Sequence, residues 1–194
     1  TGEVVARAAD LGVDDMRRAI DAAYAAGPAW AAKTAKDRAD ILMRWHDLMM
    51  ENQEDLAQIL TAEMGKPIVE SRGEIAYGAS FIRWFAEEAR RIYGDIIPAP
   101  LADRRMMVLR QPIGVVGSIT PWNFPNAMIA RKVAPALAAG CTFVGRPAED
   151  TPLSATAMAV LAQRAGVPDG VLNIVTGTDA AGLGLELCTN FKVR

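Results

Sequence analysis

The strongest structural pattern in the sequence lies in IGVVGSITPWNFPNAMIARKVAPALAAGCTFVGRP, residues 113–147. It opens and closes with short apolar runs, at 113–120 and 141–147, whose β-branched residues are typical of buried parallel strands. Residues 125–139, between these runs, have the length and apolar content of a helix. The stretch therefore predicts a strand–helix–strand unit.

The same pattern continues towards the end of the chain. A helix-like segment at 151–165 leads to a third apolar run, VLNIVTG, at 171–177. Strand, helix, strand, helix, strand in this order predicts an α/β fold in which 113–194 form a Rossmann-like βαβαβ unit with a doubly wound parallel sheet.

The part before this unit, residues 1–97, is predicted to be mainly helical. Asp14 or Asp15 is a start signal for the first helix, and Gly27 is its stop signal. A helix-capping pattern at Thr34 predicts the start of the second helix, and a similar pattern at Asn52 predicts a break before the third.

Two short segments connect the halves. IIPAP, residues 96–100, is predicted to be a linker because of its two prolines. RRMMVLRQP, residues 104–112, is predicted to be a short strand. The chain thus divides into a helical part, a separate strand and the Rossmann-like unit.

Composition excludes several classes of function. The 194 residues are 51% hydrophobic and 23% charged, as in a soluble globular protein. A net charge of −2 gives no electrostatic basis for binding nucleic acid, and no apolar run is long enough to cross a membrane. The two cysteines, Cys141 and Cys188, form neither a disulfide framework nor a metal motif, which predicts a cytoplasmic location.

In an open parallel sheet, ligands bind at the carboxyl ends of the strands. The loops expected there are TPWNFP, GRPAED and TGTDAAGLG. None carries the G-x-G-x-x-G fingerprint of dinucleotide-binding folds. The simple interpretation of Gly177 and the later glycines is turn and helix-entry geometry.

The first loop holds an asparagine between two prolines. Pro121 and Pro125 fix the backbone on either side of Asn123, so its amide is well placed to donate to a developing oxyanion. The alternative is structural: Trp122 and Phe124 would be core aromatics and Asn123 a helix cap. The sequence alone favours neither.

Two adjacent cations follow on the predicted helix. Arg131 and Lys132 project roughly 100° apart around the helix axis, so at least one of them is expected to face the packed side or a pocket. A cation in a pocket would bind a substrate carboxylate or a protein acid. Two solvated surface charges are the alternative.

The second loop contains an arginine and an acid. The Glu149 carboxylate is suited to accept hydrogen bonds from the vicinal hydroxyls of a ribose, and Arg146 lies three residues before it. Residues 149–152 are also compatible with a cluster that caps the next helix.

These residues carry a resemblance to a known family. ITPWNFPNAMIARKVAPALAAGCTFVGRPAEDTPLSA closely resembles the aldehyde dehydrogenase superfamily, and MIARK and RPAEDTPLSA look most like its succinate-semialdehyde dehydrogenase branch. The helical part fits the same branch, so the resemblance covers essentially the whole chain. It implies oxidation of a small aldehyde that carries a carboxylate, succinate semialdehyde, with hydride transfer to NAD or NADP. It also implies a homodimer or homotetramer that pairs through a strand like 104–110.

The resemblance also implies roles for single residues. Asn123 matches the oxyanion-binding asparagine, Arg131 the arginine that meets the substrate carboxylate, and Lys132 a lysine in proton relay or support. Arg146 stands where the family usually has a lysine that contacts the ribose. NAD is preferred over NADP, because a 2′-phosphate would meet the negative charge of Glu149. The implied cofactor-binding positions are Ile119, Thr120, Pro121, Trp122, Arg146, Pro147, Ala148, Glu149 and Gly177.

Finally, the resemblance implies that the chain is an N-terminal part of a longer enzyme. Neither Cys141 nor Cys188 matches the family's nucleophilic cysteine, and its general-base glutamate is not matched either. The 194 residues alone are therefore expected to be inactive, with exposed sheet edges that favour association. The alternative is a truncated, non-catalytic module that binds nucleotide or oligomerises.

Overall fold

The computed structural model describes residues 4–194, so the first three residues of the predicted helical part lie outside it. No helix in this range combines the length and apolarity needed to cross a bilayer. The helices are α1 (Val13–Ala31), α2 (Ala35–Glu51), α3 (Gln53–Met64), α4 (Ile68–Glu88), α5 (Ala127–Ala138), α6 (Pro152–Arg164) and α7 (Ala180–Thr189). The strands are β1 (Asp95–Ile97), β2 (Met106–Val108), β3 (Val115–Ile119), β4 (Thr142–Arg146) and β5 (Leu172–Ile174).

A parallel sheet with helices on both faces forms the second half of the fold. Its order is β3-β4-β5, with Val115 opposite Thr142 and Phe143 opposite Leu172. Helices α5 and α6 cover one face together with α2, α3 and α4, and α1 and α7 cover the other. The predicted α/β fold with a doubly wound parallel sheet is confirmed.

The central strand β4 connects two apolar cores. Successive side chains of a strand point to opposite faces. Phe143 accordingly packs into the larger core with α2–α6, and Val144 packs into the smaller core with α1 and α7. All five residues of β4 are buried, which explains the continuous apolar run in the sequence.

Helix α1 runs past its predicted end. The stop at Gly27 is wrong, because the helix continues through Gly27 and Pro28 to Ala31. Trp30, in this extra turn, is buried, and its indole Nε1 donates to the carbonyl oxygen of Leu137 at 3.1 Å. Packing of Trp30 against α5 thus outweighs the local signal of the glycine.

The two predicted capping signals differ in outcome. Thr34 caps α2 as predicted, since its hydroxyl accepts from the main-chain N of Asp37 at 3.1 Å. The break at Asn52 is confirmed, but the predicted side-chain cap of α3 is wrong. The Asn52 amide instead donates backwards to the carbonyl oxygen of Leu48 at 2.7 Å and ends α2.

A small antiparallel ribbon lies between the two halves. Strand β1 pairs with β2, with Ile96 opposite Met107, and every residue of both strands is exposed. Strand β2 lies inside the predicted strand 104–112. The linker prediction for 96–100 is wrong at its first two residues, because Ile96 and Ile97 pair with β2 before the prolines interrupt the strand.

Candidate active site

Two of the three predicted loops meet at the carboxyl edge of the sheet. The main-chain N of Thr120, just after β3, donates to the carbonyl oxygen of Arg146, the last residue of β4, at 3.1 Å. The loops 120–125 and 147–151 therefore start side by side. The candidate residues for oxyanion binding and for cofactor binding therefore lie on adjacent loops.

The third loop is packed against the start of the described chain. Gly177 is buried, and a Cβ added to it would lie 2.4 Å from the carbonyl oxygen of Leu11. Leu11 itself donates to the carbonyl oxygen of Thr176 at 3.0 Å. The structure gives Gly177 a packing role, and its predicted contact with a cofactor stays a prediction.

The side chains around Asn123 point away from the core. Trp122 is 54% exposed and Phe124 38% exposed, and Asn123 is exposed as well. Helix α5 begins after Asn126, and Asn123 does not cap it. The alternative of core aromatics with an asparagine cap is therefore wrong. Among residues 4–194 the amide of Asn123 makes no hydrogen bond, so it is available to a ligand.

The backbone of this loop is held by two buried charges from the helical part. Glu74 of α4 accepts with Oε1 from the main-chain N of Asn126 at 2.9 Å and of Ala127 at 3.2 Å. Its Oε2 lies 2.5 Å from Nζ of Lys66, which also donates to the carbonyl oxygen of Asn123 at 3.0 Å. The side chains of Lys66 and Glu74 are 7% and 1% exposed.

Neither Lys66 nor Glu74 was among the residues predicted from the sequence. A signal existed, because Glu74 lies on the buried face of α4 with Ser71, Ile75 and Gly78. A carboxylate on an apolar helix face is rarely buried without a partner. The sequence gives no direct indication of that partner, since the loop residues lie more than fifty positions further along the chain.

Close packing of α4 on the start of α5 requires a glycine. A Cβ added to Gly78 would lie 2.1 Å from Oδ1 of Asn126. Asn126 is fully buried, and its amide atoms have no hydrogen-bond partner in the part of the chain described. Gly78 thus lets the Asn126 side chain fit between the two helices.

The two adjacent cations of α5 have different surroundings. Arg131 is exposed and forms no ion pair within residues 4–194; its Cζ lies 5.5 Å from the centre of the Phe81 ring. Lys132 is half-buried and donates to the carbonyl oxygen of Met128 at 3.1 Å. Burial, and then the charge of Arg131, hold the pKa of Lys132 below its ordinary value. Arg131 is therefore the cation that can approach an anion in solution.

At the end of β4 the predicted ribose-binding pair is already in contact. Arg146 is buried, and its Nη2 lies 2.6 Å from Oε2 of the exposed Glu149. A main-chain N–H of Glu149 and the Arg146 guanidinium hold the pKa of the Glu149 carboxyl below its usual range. Nε of Arg146 has no partner in the described range. A ligand with hydroxyl groups would meet the exposed Glu149 carboxylate as an acceptor here, whereas Nε of Arg146 is shielded from solvent.

Glu149 does not cap the following helix. The first amides of α6 are bound by Glu63 of α3, which accepts from the main-chain N of Leu153 at 2.7 Å and of Ser154 at 3.0 Å. Of the predicted capping cluster at 149–152, Thr151 is the N-cap residue and Pro152 the first residue of α6, but no side chain of the cluster bonds the first amides.

The remaining predicted residues lie along the same edge. Ile119 is exposed, and its Cδ1 would lie 3.6 Å from a Cβ added to Gly184 of α7. Pro121 is exposed, whereas Thr120, Pro147 and Ala148 are buried. Cys141 is buried and Cys188 exposed, and residues 4–194 contain no cluster of acids, histidines and cysteines able to hold a metal ion.

Comparison with known proteins identifies the family of the chain. A family model described as the aldehyde dehydrogenase family matches residues 1–194. The chain is 59% identical over 194 residues to the glutarate-semialdehyde dehydrogenase of Pseudomonas putida, covering 100% of this chain and 40% of that protein. It is 59% identical over 193 residues to the NADP(+) succinate-semialdehyde dehydrogenase of Escherichia coli, with 100% and 40% covered.

A solved structure shows the same likeness in three dimensions. The succinate-semialdehyde dehydrogenase from Burkholderia pseudomallei superposes with a TM-score of 0.98 at 58% identity, covering 100% of this chain and 40% of that one. The chain thus spans about two fifths of the length of the relatives that it matches.

Proposed function

This chain belongs to the aldehyde dehydrogenase family, and on that premise we propose that its full-length protein oxidises an aldehyde to a carboxylate, with NAD or NADP as hydride acceptor. The observation that carries the proposal is the hydrogen bond from Thr120 to Arg146, which joins the Asn123 loop to the Arg146–Glu149 loop. The loop proposed to bind the oxyanion and the loop proposed to bind the nucleotide thus begin next to each other at the edge of the sheet.

In the proposed reaction a cysteine thiolate attacks the aldehyde, as the family resemblance implies, and negative charge develops on the aldehyde oxygen. The unpaired amide of Asn123 donates to that oxyanion. A nicotinamide nucleotide, when bound, accepts the hydride. The exposed carboxylate of Glu149, held by its ion pair with Arg146, fits the hydroxyls of its ribose. A full-length protein without thiol-dependent aldehyde oxidation would contradict the proposal and favour a non-catalytic nucleotide-binding module.

The proposed substrate class is an aldehyde that ends in a carboxylate. Two of the relatives are named for succinate and glutarate semialdehydes, which both carry such a group. In this chain the matching feature is Arg131, an exposed guanidinium without an acidic partner among the described residues. Its fork of N–H donors suits a carboxylate, and Lys132 on the next position is proposed to support the site or relay a proton.

Substitution of Arg131 tests this substrate class. In the full-length protein we expect Arg131→Met to raise KM for succinate semialdehyde roughly 10- to 100-fold, the usual size of a charged hydrogen-bond pair. KM for an uncharged aldehyde of similar length should change little. Arg83→Met, which removes an exposed ion pair with Glu87, is the control. Equal losses on both aldehydes would refute the carboxylate role.

For the cofactor, we propose that both nucleotides are used and that NAD is preferred. Glu149 repels a 2′-phosphate, but the Arg146 guanidinium at 2.6 Å offsets part of that repulsion. Glu149→Gln should therefore improve kcat/KM with NADP relative to NAD, whereas the exposed neighbour Asp150→Asn should leave the ratio unchanged. A strong NADP preference in the unaltered protein would count against the Glu149 argument.

We further propose that the full-length protein is a homodimer or homotetramer in the cytoplasm. Strand β2 presents apolar side chains that are exposed, among them Met107, and an exposed strand edge favours pairing with a second copy. The two free cysteines suit a reducing compartment. Light scattering on Met107→Lys, compared with the unaltered protein, tests the pairing, and a monomer in both cases would exclude it.

A further inference from the structure

We propose that Lys66 and Glu74 act as a pair of positioning residues that hold the Asn123 loop in its oxyanion-binding geometry. The inference rests on the proposed function, in which the Asn123 amide donates to the oxyanion. Neither residue touches the substrate. Both act through the main chain of residues 123–127.

The pair contacts both ends of the turn that carries the asparagine. Lys66 donates to the carbonyl oxygen of Asn123 at 3.0 Å, and Glu74 accepts from the main-chain N of Asn126 and Ala127 at 2.9 and 3.2 Å. The 2.5 Å contact between Lys66 and Glu74 connects the two ends through side chains. The Lys66–Glu74 ion pair thus connects the two ends of the turn. Glu74 lies in α4, and Lys66 lies two residues before the start of α4.

The rigidity of this bridge matters because no side-chain contact within residues 4–194 holds the Asn123 amide. The Asn123 side chain is exposed and unpaired within residues 4–194, so the only part of Asn123 that the described residues hold in place is its backbone. A donor that stabilises a transition state has to be in place before the reaction, and a displacement of about 1 Å reduces rate by about 10²-fold. The hydrogen bond to the Asn123 carbonyl fixes the plane of the peptide between Asn123 and Phe124, and with it the backbone from which the Asn123 side chain projects.

A purely structural role explains the ion pair of Lys66 with buried Glu74, but it does not require the hydrogen bond from Lys66 to Asn123. Glu74 alone satisfies the free amides at the start of α5. The hydrogen bond from Lys66 to Asn123 adds nothing to that helix, because the Asn123 carbonyl lies outside it. The Lys66 Nζ also lies 3.9 Å above the Phe124 ring, so this contact fixes the residue after the asparagine. Substitution of Lys66 therefore distinguishes a role in positioning Asn123 from a role in capping α5.

The test is a double-mutant cycle in the full-length protein with succinate semialdehyde as substrate. We expect Lys66→Met to lower kcat roughly 10- to 100-fold, with KM changed less than about threefold, because the lost interaction acts in the transition state. Asn123→Ala should lower kcat by about 10²- to 10³-fold. The double variant should lose no more than Asn123→Ala alone, within about twofold. Arg72→Met, which breaks an exposed ion pair between α4 and Glu54 of α3, should keep normal kcat.

Additive losses in the double variant, or an unchanged kcat in Lys66→Met, would overturn the inference. If Lys66→Met does not fold, Lys66→Arg serves instead: it keeps the charge beside Glu74 but its larger planar head displaces the Asn123 carbonyl. A folded Lys66→Arg protein is expected to lose kcat with unchanged KM, and normal kcat there would also overturn the inference. A normal kcat in Asn123→Ala would show, separately, that the proposed function of Asn123 is wrong.

Discussion

Helices α5 and α6 start in similar ways but are held differently. Each follows a parallel strand at the same edge of the sheet, and each has its first amides bound by a glutamate from the helical part. Glu74 of α4 serves α5, and Glu63 of α3 serves α6. The layer formed by α2–α4 therefore completes the loops at the sheet edge as well as covering its apolar face.

The difference lies in what accompanies the glutamate. Glu74 is almost completely buried and paired with Lys66, which reaches back to the loop before α5. Glu63 is half-buried, forms no ion pair within residues 4–194, and binds only the helix itself. Capping a helix thus requires one acid, whereas the additional cation is present only where the loop carries Asn123.

The largest expected effect is that of removing Glu74. Glu74→Ala leaves the buried Lys66 charge without its partner and two amides without an acceptor. We expect the free energy of unfolding to fall by about 3–5 kcal/mol, the usual cost of breaking a buried pair. Urea unfolding measures it. A loss no greater than that of Glu63→Ala would remove the proposed difference between the two helix starts.

A second effect concerns the packing of α4 on α5. Gly78→Ala forces a Cβ against Oδ1 of buried Asn126, and overpacking of this kind costs about 1–3 kcal/mol. Gly73→Ala on the same helix is the matched control, because no atom lies within 4 Å of its added Cβ. Gly73→Ala should stabilise the protein by about 0.5–1 kcal/mol, because alanine has a higher helix propensity than glycine. Addition of Asn126→Ala should restore part of the stability of Gly78→Ala, and an absence of rescue would argue against this contact.

The effect at α6 should be smaller. Glu63→Ala removes the acceptor for Leu153 and Ser154 but leaves no buried charge behind. A lost helix cap costs about 0.5–2 kcal/mol, so thermal unfolding should show a modest decrease in midpoint. Glu63→Gln keeps one acceptor and should lose less. A loss as large as that of Glu74→Ala would show that the lysine is not what distinguishes the two sites.

The smallest effect is one of pH. Burial, and more weakly the charge of Glu74, raise the pKa of Glu63 above its ordinary value of 4.5 in the folded protein, although two main-chain amides oppose this. The folded protein therefore binds the proton more tightly than the unfolded chain. The stability that this adds is complete below pH 4.5 and is lost as pH rises through the folded pKa.

Glu63→Ala should accordingly destabilise the protein more near pH 4 than near pH 8, as measured by urea unfolding at both values. The opposite pH trend would show that the amide hydrogen bonds, not burial, control the Glu63 carboxyl.

The parallel sheet was predicted because the composition of each strand is enough to identify it without knowledge of distant contacts. The apolar run around Phe143 is buried on both faces and the run around Val115 is largely covered, so nothing in their composition competes with the strand assignment. Strand β1 was missed because Pro98 and Pro100 indicate a break, whereas pairing with β2 determines the conformation of the two residues before them. Gly27 failed as a stop signal because burial of Trp30 outweighs it.

At the candidate site, the strand positions indicated the loops, but they did not decide which residues act there. The roles of Asn123, Arg131 and Glu149 were implied by the family resemblance, and the residues that support the Asn123 loop were not predicted. Lys66 and Glu74 come from a helix and turn far earlier in the chain, and their role exists only after α4 packs on α5. Long-range contacts of this kind leave no local pattern.

The acidic residues at the helix starts have a consequence for how this edge can hold a dinucleotide. The first amides of a helix carry a partial positive charge, and many dinucleotide folds direct that charge at the diphosphate. Here the amides of α5 and α6 are occupied by Glu74 and Glu63, and Asp179 accepts from Gly182 at the start of α7. The dipoles of these three helices are thus directed at the protein's own carboxylates. The missing glycine fingerprint in the three loops and these internal anions are therefore consistent with each other: the first amides of these three helices are already occupied and are not offered to a diphosphate.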